Sequence, residues 1–246
     1  MDANLVVAIA VLMGLAAMLY SMVGHGGASA YLAIMALFAL APDVMRPTAL
    51  ALNLVAAGIA SIRYARAGQV NWRLLALFVV VAAPAAFVAG KISLPPDIYR
   101  PMVGVLLWIA AIRLFWSPKA TAARTPSPPS AMVAVPVGAA LGFLAGLTGT
   151  GGGIFLSPLI ILLGWEEPRR TSGIAALFIL INSAAGLAGN VASVGKLPAE
   201  LPWFGLAVAI GALLGSWLGS RKLDKARLLQ GLGLVLVIAG AKLIVV

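Results

Sequence analysis

The chain has 246 residues, of which 62% are hydrophobic and only 10% charged, and its mean hydropathy is +1.07. This composition indicates a polytopic membrane protein with roughly eight to ten apolar segments and excludes a sizeable soluble domain. The formal charge of +10 lies in short connections between apolar runs, so nucleic acid is not an expected partner, and zero cysteines exclude disulfides, thiolate metal sites and cysteine nucleophiles.

The chain opens with an apolar run that we interpret as a retained first helix. It has no basic residue at its start, carries Asp2 instead, and is not followed by a clear small-residue cleavage site. Apolar runs bounded by charge or proline predict helices in the first half at about 4–21, 28–41, 47–63, 73–91 and 100–116.

A Pro-, Ser- and Thr-rich piece, "SPKATAARTPSPPS", is the only linker-like composition in the chain. After it, predicted helices resume at about 131–147, 152–164, 171–190, 201–219 and 227–246. The chain therefore divides into a first repeat, 1–116, a linker, 117–130, and a second repeat, 131–246, with five segments in each half.

The two halves are alike in detail. The stretch "GHGG" at 24–27 aligns with "GTGG" at 149–152, and "RAGQVNW" at 66–72 aligns with "SVGKLPA" at 193–199. An odd number of segments in each half inverts the second repeat relative to the first. A parallel duplication of four helices, in which the Gly-rich element is only a loop, is the alternative.

The charges of the connections bear on this orientation. Connection 63–73 carries three arginines, whereas its counterpart 191–200 carries one lysine against one glutamate. We place the three most basic connections, 63–73, 113–124 and 220–227, in the cytoplasm. Both termini then lie outside.

In each half a full-length helix is followed by a glycine break and a half-length helix. Segment 28–41, roughly 21 Å long, is too short for a hydrocarbon core of about 30 Å, and 152–164 is equally short. Irregular backbone at membrane depth is tolerated only where protein or a water-filled cavity satisfies it, so paired breaks indicate a transport site. The glycines let the N–H groups that begin each short helix approach an anion, which the helix dipole also favours.

Two other roles of such glycines are nucleotide binding and close helix packing. "GTGGG" is not a phosphate-binding P-loop, because no Lys-Ser/Thr follows it, and it is not a dinucleotide fingerprint, because no strand precedes it. Close helix packing explains the glycines at four-residue spacing, which are Gly138, Gly142 and Gly146 and then Gly211, Gly215 and Gly219. The glycines of the breaks are consecutive, and we assign them to a site.

The positions of the ionisable residues indicate whether the ligand is a cation or an anion. All seven acidic residues fall at segment ends or in loops, which argues against cation binding, and neither a metal site nor a cofactor is expected. A pathway of glycine N–H groups, Ser, Thr and Asn suits a small anion. The substrate-binding candidates are Gly24, His25, Gly26, Gly27, Ser29, Thr48, Asn53, Thr148, Gly149, Thr150, Gly151, Gly152, Gly153, Ser172 and Asn182. For the polar side chains inside spans, helix–helix hydrogen bonding is the alternative role.

His25 is the only histidine and looks buried in the sequence. Its reference pKa of about 6.5 makes it the candidate for coupling proton and anion movement. The alternative is a neutral histidine that hydrogen-bonds the opened backbone, since the second half has Thr150 in its place.

These stretches resemble a known family. "GHGGASAYL" and "GTGGGIFLSPLIILLG", followed by "PTALALN" and "RTSGIAAL" and, in the first half, by "RYARAGQVNW", are similar to the duplicated pattern of the TauE/SafE sulfite exporter family. The resemblance covers almost the whole chain apart from the linker. It implies a bacterial inner-membrane carrier for sulfite, sulfoacetate or other organosulfonates, with the glycine motifs near the site. In such a membrane the outside termini inferred from the connection charges are periplasmic.

The expected fold is an all-α polytopic membrane protein of two inverted repeats, and the expected function is alternating-access transport of a small sulfur-containing anion. An anion channel without coupled exchange is the alternative. The chain is not predicted to be an enzyme, since it lacks paired intramembrane carboxylates and cysteine. Its expected partners are the anion and the lipid bilayer. The sequence does not determine whether it forms a homo-oligomer.

Overall fold

The computed structural model describes residues 2–22, 24–115, 126–218 and 225–245, and these form α-helices with no β-strand. The helices are α1 (Ala3–Ser21), α2 (Ala28–Leu37), α3 (Pro42–Arg66), α4 (Trp72–Gly90), α5 (Pro96–Phe115), α6 (Ala131–Thr148), α7 (Gly153–Leu162), α8 (Pro168–Gly189), α9 (Val191–Val194), α10 (Leu201–Leu218) and α11 (Lys225–Val245). Among them α1, α3, α4, α6, α8 and α10 are long and apolar enough to cross a bilayer. The predicted all-α membrane class is confirmed.

All ten predicted segments contain a helix in the described residues, but three of the helices begin three to five residues earlier than predicted. Helices α3, α5 and α8 start at Pro42, Pro96 and Pro168 instead of at 47, 100 and 171. Proline is well suited to the first turn, where its missing N–H has no helical partner. Pro47, which was expected to begin α3, lies in its second turn and removes only one intrahelical hydrogen bond.

The short helices are shorter than predicted, with ten residues each, or about 15 Å. Helix α2 ends at Leu37 instead of 41, because Ala39 turns into the left-handed region with φ 57°. The four-residue helix α9 was not predicted. Most of the linker, Gly219 and Asp224 lie outside the described residues.

Helices α3 and α8 form the centre of the protein and run antiparallel. Gly58 packs on Leu180, Asn53 donates a hydrogen bond to Ser183, and Leu50 packs on Gly186. Residue numbers therefore rise along one helix as they fall along the other. Half of each helix is buried, although both are as long as lipid-facing spans.

The remaining long helices pack in pairs around this centre. Helix α6 lies parallel to α4, with Gly138, Gly142 and Gly146 against the backbone of Phe78, Ala82 and Ala86. Helix α1 lies parallel to α10 in the same way, with Gly211 against Gly14 and Gly215 against Met18. A Cβ atom would clash with the backbone of the partner helix at Gly138, Gly142, Gly146, Gly211 and Gly215. This fits the close helix packing predicted for these glycines.

Helices α5 and α11 form the third pair and run antiparallel. A Cβ atom at Gly104 would meet Ile244 and Gly240, and the indole N–H of Trp108 donates to the carbonyl of Val237. In the predicted repeat, α5 corresponds to α11 and α3 to α8.

These directions define two faces of the protein. The linker face carries the end of α3, the start of α4 and the start of α6. The terminal face carries the start of α3, whose Arg46 hydrogen-bonds the end of α4. Lys242 near the end of α11 donates to the carbonyl of Leu37, so the last described residues lie on the terminal face. Helix α1 starts there too, because it is parallel to α10, which follows the loop joined to Asp43 through Lys196.

The faces can be tested by labelling single cysteines in this cysteine-free chain. Ala67 follows the end of α3, and Val194 is the last residue of α9 on the opposite face; both are exposed. We expect A67C and V194C to react with a membrane-impermeant maleimide from opposite sides of sealed vesicles. Labelling of both from one side would contradict the helix directions given above.

Candidate functional site

The two glycine breaks contain the backbone conformations that only glycine adopts without strain. Gly24 and Gly27 have φ of 79° and 106° in the first break, and Gly149, Gly151 and Gly152 have φ of 86°, 74° and 76° in the second. Gly27 and Gly152 are the N-cap residues of α2 and α7. Each short helix therefore begins directly at a left-handed glycine.

Both breaks press against one side chain, the amide of Asn53 in α3. A Cβ atom at Gly26 would lie 2.6 Å from Asn53 Oδ1, and one at Gly151 would lie 2.7 Å from Asn53 Nδ2. The same two positions lie against Ile179 of α8, at 3.1 and 2.9 Å from its Cγ2. The breaks thus meet at the α3–α8 contact.

The starts of α2 and α7 bring unpaired N–H groups to this point. The first intrahelical hydrogen bonds run from Ala30 to Gly27 and from Phe155 to Gly152. The N–H groups that precede them have no partner within their own helix, as in any helix start. Two positive helix ends therefore lie beside the Asn53 amide, and together they favour an anion.

Buried polar atoms without a partner concentrate in α3 and α8. Asn53 donates to Ser183 Oγ at 3.2 Å, but its Oδ1 has no hydrogen bond within the described residues, nor has Oγ1 of Thr48. Both polar atoms of Asn182 are equally unpaired there, although this side chain is 0% exposed. Burial of an unpaired amide is costly, and these atoms retain unused hydrogen-bonding capacity.

Several predicted site residues are instead held by local hydrogen bonds. The Ser29 hydroxyl lies 2.5 Å from that of Tyr20, and Tyr31 donates to the carbonyl of Gly26. The hydroxyls of Thr148 and Thr150 are 3.0 Å apart. These contacts hold the two breaks in shape.

The first break also contacts the ends of α3 and α8 toward the linker face. A Cβ atom at Gly24 would lie 2.6 Å from Ser172 Cβ and 2.9 Å from the hydroxyl of Tyr64. Ser172 is half-buried and donates to the carbonyl of Pro168. It therefore lies next to Gly24, whereas the Asn53 amide lies next to Gly26.

His25 is half-buried, so the expectation that it is a buried residue is wrong. Its neighbours Gly24 and Gly26 contact α3 and α8. The imidazole meets the ring of Tyr20 edge to face, with 6.5 Å between centroids, and its backbone N–H donates to the carbonyl of Tyr20.

Arg46 is a buried residue that the sequence did not single out. Its guanidinium donates to the carbonyls of Gly146, Ala89, Gly90 and Ile92 at 2.7–2.9 Å. These carbonyls lie at the ends of α4 and α6, where the helix dipole is negative. The prediction that a helix begins at Pro47 left Arg46 in a connection; an arginine close to the start of a long apolar run was the available signal.

Tyr99 of α5 is a second residue that the sequence did not reveal. It is 3% exposed, and its hydroxyl donates to the carbonyl of Thr148 at 2.9 Å. Together Arg46 and Tyr99 hold the end of α6 where the second break begins.

The acidic residues stay at helix ends and in loops throughout the described chain. Glu166 is buried, but it lies in the loop before α8, where its carboxylate accepts a hydrogen bond from Asn71. No carboxylate lies among the contacts described for the two breaks, and no group of three metal-ligating side chains occurs in the described residues.

Comparison with known proteins gives one family and several relatives. The family model described as "Sulfite exporter TauE/SafE" matches residues 9–243. The probable membrane transporter protein y4hK of Sinorhizobium fredii is 38% identical over 231 residues, which cover 93% of this chain and 94% of that protein. The probable membrane transporter protein YunE of Bacillus subtilis is 29% identical over 118 residues, or 46% and 41% of the two chains. No solved structure gives a significant match.

Replacing Asn182 tests two effects separately: the cost of its unpaired amide to the stability of the protein, and its contribution to anion binding. Replacement by leucine removes a buried unpaired group, so we expect Asn182→Leu to stabilise the protein by about 1–3 kcal/mol and to weaken anion binding. Thermal unfolding in detergent, with and without sulfoacetate, measures both effects.

Ser61→Ala is the matched control. Its hydroxyl is also buried and has no partner within the described residues, but it lies two turns of α3 beyond Asn53. It should change stability without changing the shift that the anion causes. An unchanged anion shift in Asn182→Leu would remove Asn182 from the site.

Proposed function

The chain belongs to the sulfite exporter TauE/SafE family of membrane transporters, and on that premise we propose that it is a secondary transporter of small sulfur-containing anions. Sulfite, sulfoacetate and other organosulfonates are the proposed substrates. Their oxygen atoms accept hydrogen bonds from several directions, so they suit a site formed by backbone N–H groups and amides.

The observation that carries this proposal is the meeting of both breaks at Asn53. Two helix starts supply N–H donors and positive dipole ends beside one amide. We place the unpaired amide of Asn182, the residue before Ser183, in the same site as a further donor. In this proposal the bound anion replaces the hydrogen bonds that these groups lack.

Alternating access is the proposed mechanism, and the helix directions support it. Helices that correspond in the predicted repeat, α3 with α8 and α5 with α11, run antiparallel, as inverted repeats require. Toward the terminal face the breaks are covered by the Tyr99–Thr148 hydrogen bond, and toward the linker face Gly24 packs on Tyr64. We propose that these two contacts open in turn.

The proposed location is the bacterial inner membrane with both termini in the periplasm. The linker face carries Arg63, Arg66 and Arg73 around the start of α4, and cytoplasmic loops are enriched in such residues. The terminal face is then periplasmic.

Transport in proteoliposomes tests the proposal with a glycine at the centre of the site. Gly26 has no left-handed φ, so Gly26→Ala adds only a methyl group, which would lie 2.6 Å from Asn53 Oδ1. We expect saturable uptake and exchange of labelled sulfite or sulfoacetate by the wild type, and a loss of about tenfold or more in Gly26→Ala.

Gly195→Ala is the control, since nothing lies within 4 Å of a Cβ atom there. It should transport like the wild type. Absence of any anion movement above background would refute the proposed function, and anion conductance without saturable exchange would identify a channel instead.

Proton coupling is proposed for His25, whose side chain is half-buried at the first break. If its protonation is part of the cycle, His25→Ala removes the change in transport rate between about pH 5.5 and 7.5, the range in which an unperturbed histidine titrates. His25→Thr, which copies the second break, is the matched variant. An unchanged rate and pH profile in both variants would exclude the coupling role.

A further inference from the structure

A cavity of about 500 Å³ opens on the terminal face and is not part of the break site. It lies between the start of α3, the connection before α5, the start of α5 and the segment around α9. We call this cavity the vestibule. Its rim includes Asp43 and Lys196, whose side chains are about half exposed.

The vestibule is basic. Arg46, Arg100 and Lys196 line it together with a single carboxylate, Asp43, which forms an ion pair with Lys196 at 3.0 Å. The formal charges of these four lining residues sum to +2. Since half-exposed ion pairs add little stability, the Asp43–Lys196 pair leaves Lys196 able to exchange its partner for another anion.

The floor of the vestibule is the back of the second break. Tyr99 lines the cavity and hydrogen-bonds the carbonyl of Thr148, and a Cβ atom at Gly149 would lie 3.1 Å from the carbonyl oxygen of Arg46. Arg46 and Tyr99 therefore form a layer that contacts both the vestibule and the break.

Arg46 retains one donor for the vestibule. The four hydrogen bonds to helix-end carbonyls use Nε once, Nη1 once and Nη2 twice. A guanidinium has five N–H groups, so within the described residues one Nη1 hydrogen is left. It belongs to a side chain that lines the cavity.

We propose that the vestibule is a second binding site for the substrate anion, in which Arg100 and Lys196 hold a hydrated sulfonate or sulfite above the closed Arg46 and Tyr99 layer. The inference rests on the proposed function, because it takes its ligand from it. Asp43 competes with the anion for Lys196. The site raises the anion concentration at the entrance to the second break.

Cysteine protection measures binding in the vestibule without transport. Ser93 lines the cavity and is exposed, and the chain has no cysteine of its own. We expect the ratio of the rates with an anionic and a cationic methanethiosulfonate reagent to be several-fold higher for S93C than for a free small thiol. Sulfoacetate should slow this reaction more than potassium chloride of equal ionic strength. A199C, exposed on the same face but not in the cavity, should show neither effect.

Charge variants in the S93C background make the test specific. Arg100→Gln and Lys196→Gln should raise the half-protecting sulfoacetate concentration by about threefold to tenfold, as expected for one charge in a partly wet site. Asp43→Asn should lower it. Lys91→Gln, which removes a cation outside the cavity on the same face, should leave it unchanged.

The outcomes separate this inference from the proposed function. Protection absent in a protein that transports sulfoacetate would overturn the vestibule site alone. Protection in a protein that moves no anion would support the vestibule and overturn the transporter proposal. Equal effects of Lys91→Gln and Arg100→Gln would reduce the vestibule to general surface charge and overturn it.

Discussion

A polypeptide that interrupts its helices inside a bilayer must satisfy the exposed backbone groups from elsewhere in the protein, because lipid offers no hydrogen bonds. This constraint organises the whole molecule. The two breaks lie against α3 and α8, so these become the central, most buried spans. The open carbonyls beside the second break are met by Arg46 and Tyr99. In the proposed function, the N–H groups at the starts of α2 and α7 bind the anion.

Glycine has two separate functions in this arrangement. In the α4–α6 and α1–α10 pairs it removes side-chain bulk, so that two backbones touch over several turns. In the breaks it supplies left-handed backbone and lets the chain reach the Asn53 amide. The first function makes stable pairs of helices, and the second lets both breaks lie against the α3–α8 contact.

The two halves surround their glycine breaks with different side chains. Thr150 in the second break is tied to Thr148, whereas His25 in the first is half-buried beside Tyr20. Arg46 fixes the ends of α4 and α6, while Lys242 contacts the end of α2. Both cations lie toward the terminal face. The entrance to the proposed site from that face therefore has cations beside it that the entrance from the linker face does not share.

The sequence by itself determined the class of protein, the ten main helices, the half-length of two of them and the glycine breaks, because hydropathy and glycine spacing are local properties. Helix starts were less accurate, since charged first turns with proline look like connections. The partners of each residue were decided only by the tertiary structure. Nothing in the spacing of Gly26, Gly151 and Asn53 places them together, and neither the burial of Arg46 nor the partial exposure of His25 follows from its neighbours in sequence. Contacts between residues a hundred positions apart depend on how helices pack, which a local pattern does not encode.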